Sequence, residues 1–141
     1  MPSSSVYNSA KVKFATKVFN WTTDTIKVML VNGYTPNIDT HSSRADVTNE
    51  ASGTGYTAGG VALGTLACTQ DNTNDRAQLT AANPSWSSST ITATGAVVYQ
   101  SNGGASSGDP IICYLDFGGT VSSSANTFTV SFASAGVLTL T

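Results

Sequence analysis

The stretch "TITATGAVVYQ", residues 90–100, decides the fold class of this chain. Every second side chain in it is apolar or small: Ile91, Ala93, Gly95, Val97 and Tyr99. The intervening positions begin with Thr92 and Thr94 and end with Ala96 and Val98. A period of two residues is typical of a β-strand, and Thr and Val suit a pleated surface. We therefore predict a strand over residues 90–100.

The same period recurs on both sides of this stretch. "TIKVMLV" (25–31) is partly apolar on both faces, which predicts a central strand, and "IICYLDF" (111–117) is equally clear. Shorter strands are predicted at residues 61–68, 77–81, 127–132 and 135–141. Turn residues separate these segments at short intervals. About seven or eight strands in this arrangement predict a mainly β fold, an antiparallel β-sandwich or barrel-like domain.

Only the N-terminal region shows a helical period. Its apolar side chains recur every three or four residues, at Tyr7, Ala10, Phe14 and Val18. This spacing predicts one short amphipathic helix within residues 6–19, with Ser5 as its N-cap. The alternation of "KVKF" (11–14) leaves a strand as the alternative. The Ser-rich residues 1–5 are expected to form a flexible arm, and residues 6–141 a single β-rich domain.

Composition and charge exclude several classes of partner. Only 10% of the 141 residues are charged, against about 25% in an average globular chain. The formal net charge is −2, with six Lys and Arg residues in total. Because so few cations cannot neutralise many phosphates, we expect neither nucleic-acid binding nor a polybasic membrane site. The sequence shows no secretory signal pattern and no apolar run long enough to span a bilayer.

The stretch "NEASGTGYTAGG", residues 49–60, raises the question of a phosphate-binding loop. A dinucleotide-binding loop requires its glycines to stand between a strand and a helix. Here the following residues, "VALGTLACT", have the pattern of a strand, and no Gly-Lys-Ser/Thr occurs. We therefore expect the glycines to supply positive φ angles and close backbone approach in a turn or bulge.

No other pattern indicates catalysis or a cofactor. His41 stands alone in a loop without a nucleophile elbow, and a loop-ordering role is expected for it. The carboxylates are scattered through turn segments, where Asp caps backbone donors, although Asp71 and Asp75 leave a loop calcium site as an alternative. Cys68 and Cys113 are expected to be buried reduced thiols, with a disulfide left open. We predict no enzyme activity, no cofactor and no metal.

Aromatic residues leave a sugar-binding surface open as an alternative. The candidates for a stacking platform are Tyr34, Tyr56, Trp86 and Tyr99. Core packing is the simpler expectation for most of them, because large aromatic side chains are highly buried on average.

Five segments, taken in order, resemble a known group of proteins: "DTIKVMLVNGYTPNIDTH" (24–41), "DVTNEASGTGYTAGGVAL" (46–63), "TQDNTND" (69–75), "WSSSTITATGAVVY" (86–99) and "IICYLDFGG" (111–119). Together with "YNSAKVKF" (7–14) they cover nearly the whole chain. The set resembles a widespread group of small tailed-bacteriophage virion proteins, whose members have a short N-terminal helix and Ser/Thr-rich strands. This group is commonly described as structural or as capsid decoration (cement) proteins.

The resemblance implies a capsid decoration protein on the exterior of the virion, made in the cytoplasm of the bacterial host. Its partner would be the major capsid protein, whose subunits it would bridge, and a homo-oligomer, with a trimer favoured, is expected. The resemblance supplies no catalytic residues. We expect the N-terminal segment to contact the capsid or a neighbouring copy, through Pro2, Ser3, Ser4, Ser5, Val6 and Tyr7. The alternative is a tail- or fibre-associated attachment module that binds host glycans.

Overall fold

The computed structural model describes residues 3–141, so Met1 and Pro2 lie outside the described residues. The strands are β1 (Ser3–Val6), β2 (Ile26–Val31), β3 (Gly53–Thr54), β4 (Val61–Ala62), β5 (Ala67–Asp71), β6 (Arg76–Thr80), β7 (Ser85–Gln100), β8 (Ile111–Ser122), β9 (Asn126–Thr129) and β10 (Leu138–Leu140). Helix α1 is Asn8–Ala15, and 3₁₀ turns lie at Arg44–Asp46 and Ser106–Gly108. The fold is mainly β, as predicted.

The main sheet is organised around β7. The C-terminal half of β7 runs between β8 and β2, and its N-terminal half pairs with β9 and β3. β1 lies outside β8, and β4 lies outside β2. A smaller sheet has the order β10-β6-β5. Among residues 3–141 all strand pairings are antiparallel and no closed barrel forms, which is consistent with a β-sandwich.

Burial along β7 explains why its sequence pattern changes midway. Exposed and buried side chains largely alternate from Ser85 to Ala93, because one face of the sheet meets solvent there. From Gly95 to Tyr99 every residue is buried, because both faces are covered. β2 lies beside this second half and is buried at every position except Lys27, which is half-buried. The prediction of a central strand at β2 is therefore confirmed.

Helix α1 is shorter than the sequence predicts. It covers eight residues, and its N-cap is Tyr7, whereas the expected cap, Ser5, belongs to β1. The C-cap is Thr16, after which Lys17 adopts a φ of +64° and turns the chain away. Val18 therefore leaves the expected helical face and is 51% exposed.

The expected flexible arm is, from Ser3 onward, a strand. Ser3 lies opposite Asp116 and Val6 opposite Cys113 in an antiparallel ladder. The Tyr7 amide then donates to the carbonyl of Ile112 at 3.1 Å. Ser-rich residues have little intrinsic strand preference, so the ladder offered by β8, and not the local sequence, orders this segment.

The strand predicted over residues 61–68 is two short strands in different sheets. β4 pairs with β2 in the main sheet, whereas β5 pairs with β6 in the small sheet. Thr65 lies between them with a φ of +53°, where the chain crosses over. Residues 3–141 therefore contain more strands than the seven or eight expected. The additional strands come from this division, from β1 and from the short β3.

Candidate functional site

The N-terminal residues expected to make contacts lie at an edge of the main sheet. The three serines at residues 3–5 have exposed side chains, and Val6 is half-buried. Within residues 3–141, β1 pairs only with β8, so its outer backbone edge has no partner strand. The side chain of Tyr7 is fully buried within the chain, so it offers no exposed surface for the expected contact in this structure. Pro2, also expected to make contacts, lies outside the described residues.

A chain of hydrogen bonds leads from the core to the loop that holds His41. The hydroxyls of Tyr7 and Tyr34 lie 3.0 Å apart, and the Tyr34 hydroxyl lies 2.7 Å from Nδ1 of His41. The amide of Asn37 donates to the same nitrogen at 3.2 Å. Burial raises the pKa of both phenols, so they remain protonated donors at neutral pH. His41 thus orders its loop, as predicted.

The glycine-rich loop is held by a carboxylate of the same chain. Oε1 of Glu50 accepts hydrogen bonds from the Gly59 amide at 2.6 Å and the Tyr56 hydroxyl at 2.8 Å. Gly60 has a φ of +73°, and a Cβ there would overlap the carbonyl oxygen of Val28. The glycines therefore permit positive φ and close backbone approach, which confirms the structural interpretation of this loop.

A buried ion pair fixes the loops beside it. Nε of Arg44 donates to Oδ2 of Asp109 at 2.9 Å, and Oδ1 accepts the Asn102 amide at 2.9 Å. The guanidinium lies 5.2 Å from the centre of the Tyr99 ring, whose hydroxyl donates to the Gly59 carbonyl. Asp109 is 1% exposed, whereas Arg44 is partly exposed, so the carboxylate of this pair is the buried member.

The carboxylates do not converge. Among residues 3–141 no group of three or more His, Cys, Asp or Glu side chains could hold a metal ion. Asp46 accepts the amides of Ser42 and Ser43, and these bonds lower the pKa of its carboxyl. Oδ2 of Asp71 accepts from the side chains of Asn74 and Arg76, and Oδ1 accepts the Asn74 amide, so both carboxylate oxygens are engaged by the chain itself. These side chains cap turns, as the sequence suggested.

The aromatic side chains pack inward. Trp86 is 4% exposed and lies against Tyr56 and Phe128, with ring centroids 5.9 and 6.1 Å away. Tyr34 and Tyr99 are buried as well. Nε1 of Trp86 has no hydrogen-bond partner within the described residues. The four residues considered for sugar stacking therefore form no exposed platform.

The two thiols occupy different environments. Cys68 is exposed on β5, which corrects the expectation that it is buried, whereas Cys113 is buried in β8 as expected. Neither forms a disulfide within the part of the chain described. Burial raises the pKa of the Cys113 thiol to about 12, so it stays protonated and unreactive at neutral pH.

The C-terminal end of α1 carries a surface that the sequence analysis passed over. Its members are exposed or partly exposed, and we call them the α1 patch: Lys11, Val12, Lys13, Lys17 and Val18. Three of its members are lysines. The sequence could not show that Val18 stands exposed beside them, because the helical period assigned Val18 to the core face.

No α-helix in residues 3–141 is long and apolar enough to cross a membrane. Compared with protein family models, with functionally characterised proteins and with solved structures, the chain matches none of them.

Proposed function

We propose that the chain is a virion structural protein of a tailed bacteriophage that decorates the outside of the capsid. It would bind the major capsid protein and bridge its subunits, after synthesis in the bacterial cytoplasm. The ordered resemblance of five segments carries this proposal, because it extends over nearly the whole chain. We propose no catalytic activity and no cofactor.

The arrangement of polar groups supports a structural role. The buried carboxylate of Asp109 and the partly buried Glu50 are engaged by donors of the same chain. In the tyrosine–histidine chain, likewise, the hydroxyls of Tyr7 and Tyr34 and Nδ1 of His41 are hydrogen-bonded to one another in series. Within the described residues, therefore, these polar clusters stabilise loops on the sheet. Such a scaffold suits binding through its outer surface.

A decoration protein acts through many copies. A single contact with the shell can be weak, because linked contacts raise the effective concentration of each further one. A homo-oligomer, with a trimer favoured, would bind several subunits at once. Native mass spectrometry of the purified chain tests this state directly, and a strictly monomeric protein would remove the proposed trimer.

The location is tested by gold-labelled antibody against the purified chain on intact virions of the source phage. Label over the whole shell supports decoration. Label confined to the tail or fibres overturns it in favour of the attachment module. Particles without label contradict a virion role altogether.

Of the N-terminal segment expected to contact the capsid, the outer edge of β1 is exposed and available for binding. Ser3→Lys with Ser5→Lys adds charges to this exposed edge without removing its ladder to β8. If the edge contacts the shell, the variant occupies fewer sites while keeping the thermal midpoint of the wild type. Thr127→Lys with Thr129→Lys, on exposed positions of β9, is the matched control. Equal occupancy of all three proteins excludes β1 as the contact.

A further inference from the structure

The positive charge that other side chains do not neutralise is concentrated on one helix. Lys11, Lys13 and Lys17 belong to α1 or its C-terminal turn, and the remaining lysine is Lys27. Both arginines are paired with aspartates, at 2.9 Å each. No lysine forms a salt bridge within residues 3–141. A protein of net charge −2 therefore presents a local cationic surface.

Exposed apolar side chains lie in the same place. Among residues 3–141 the large apolar side chains that are clearly exposed are Val12 (62%), Val18 (51%) and Val121 (43%). Two of them belong to the α1 patch. Single exposed apolar residues are ordinary, but Val12 on the helix and Val18 just after its C-terminal turn both stand next to lysines in the chain, which gives the α1 patch an amphipathic character.

The backbone at the end of α1 adds a third observation. The Val18 amide donates to the carbonyl of Lys13 at 2.9 Å, and the Lys17 amide to that of Phe14 at 3.3 Å. This is a Schellman motif, whose left-handed position is usually glycine. Lys17 occupies it with a φ of +64°. The helix dipole favours a cation here, but it does not explain why Val18, at the position that normally packs on the helix, is half exposed.

We propose that the α1 patch is a docking surface for an acidic protein surface that presents an apolar side chain between carboxylates. The carboxylates would pair with the lysines, and the apolar side chain would cover the two valines. A protein fits better than a nucleic acid, because phosphates offer the valines nothing and three lysines neutralise few of them. The inference rests on the proposed function in one respect: the partner that carries the acidic surface would be the major capsid protein.

The first test uses a labelled peptide of repeating Glu-Glu-Leu units, with poly-glutamate and a DNA duplex for comparison. We expect the peptide to bind the full chain, and Lys11→Gln with Lys17→Gln to weaken binding about 3- to 20-fold. Val12→Ser with Val18→Ser should weaken it as well. Lys27→Gln and Val121→Ser are the matched controls outside the α1 patch and should leave binding unchanged.

Lys17→Gly separates binding from folding. Glycine relieves the left-handed strain, so the variant should melt at a higher temperature and yet bind the peptide more weakly. A lysine with only a structural role would not produce this opposite pair of effects.

Three results would overturn the proposal: no binding of the peptide, equal binding of poly-glutamate with no effect of the valine changes, or tighter binding of the duplex. The first two leave a solvated cationic helix, and the third identifies a nucleic-acid surface. Because the probe is a peptide, the result stands or falls separately from the labelling of virions. If antibody labels the shell and the variant Lys11→Gln with Lys17→Gln occupies as many capsid sites as the wild type, only the docking surface is rejected.

Discussion

The hydroxyl of Tyr34 donates its proton to Nδ1 of His41 across 2.7 Å. The direction follows from the neighbouring bond, because the Asn37 amide can only donate and points at the same nitrogen. Nδ1 is therefore the unprotonated nitrogen, and the Tyr34 oxygen is free to accept from Tyr7. The loop around His41 is tied in this way to the residue that joins β1 to α1.

Tyr34→Phe should lower the free energy of unfolding by about 1–3 kcal/mol, because the buried hydroxyl of Tyr7 loses its partner. Tyr114→Phe is the control, because its ring packs edge-on against Tyr34 at 5.8 Å and its hydroxyl has no hydrogen bond within the described chain. Denaturant unfolding of both variants measures the difference. Equal losses would show that the tyrosine–histidine chain contributes nothing.

Gly60→Ala should destabilise the fold by more than about 2 kcal/mol, since the new Cβ meets the Val28 carbonyl at a positive φ. Gly64→Ala, where a Cβ has no atom within 4 Å, should be neutral or stabilising by up to about 1 kcal/mol. Thermal melts of the two variants compare them. Similar midpoints would contradict the close approach of this loop to β2.

Asp109→Ala should cost about 3 kcal/mol of stability, because Arg44 keeps a partly buried charge and the Asn102 amide loses its acceptor. Asp116→Ala removes an exposed carboxylate that accepts one amide, from Gly118, and should cost less than about 1 kcal/mol. Urea unfolding distinguishes them. A loss at Asp109 no larger than that at Asp116 would argue against the buried pair.

Alkylation of the native protein should modify Cys68 and spare Cys113. The first thiol is exposed, whereas burial protects the second and raises its pKa to about 12. Mass spectrometry should find one adduct on the folded wild type, two after denaturation, and none on folded Cys68→Ser. A second adduct in the folded state would indicate that β8 opens.

Alkaline pH should unfold the protein. Burial raises the pKa of the hydroxyls of Tyr7, Tyr34, Tyr56, Tyr99 and Tyr114 above their ordinary 10.0. A group whose folded pKa is raised stabilises the fold fully below its unfolded pKa, and this contribution is lost as pH rises above it. Stability should therefore fall above about pH 10, and tyrosinate absorbance should rise together with unfolding. Titration of all phenols in a protein that stays folded would contradict their burial.

Strands could be predicted from the sequence where the spacing of their apolar residues matches the faces that they bury. β2, β7 and β8 have side chains that alternate or run apolar according to the faces they bury. The short strands could not, because β1 and β3 consist largely of Ser, Gly and Thr and exist only where a longer strand offers a free edge.

The candidate sites were predictable to a smaller extent. The sequence correctly predicted that a strand, and not a helix, follows the glycines of residues 49–60. It missed the exposure of Val18. The spacing of apolar residues extends the helical period to Val18, whereas the positive φ of Lys17 ends the helical path before it. It also missed the exposure of Cys68, because an apolar neighbourhood does not reveal which strand lies at an edge.

β7 contains 16 residues and would span about 50 Å if fully extended. It meets neighbours along both halves, so one unbroken backbone joins opposite ends of the main sheet. A tensile load applied across the molecule would thus pass through covalent bonds before it reached the side-chain core. The peripheral strands β1 and β4 can peel away without cutting this path, which makes β7 the mechanical tie of the domain.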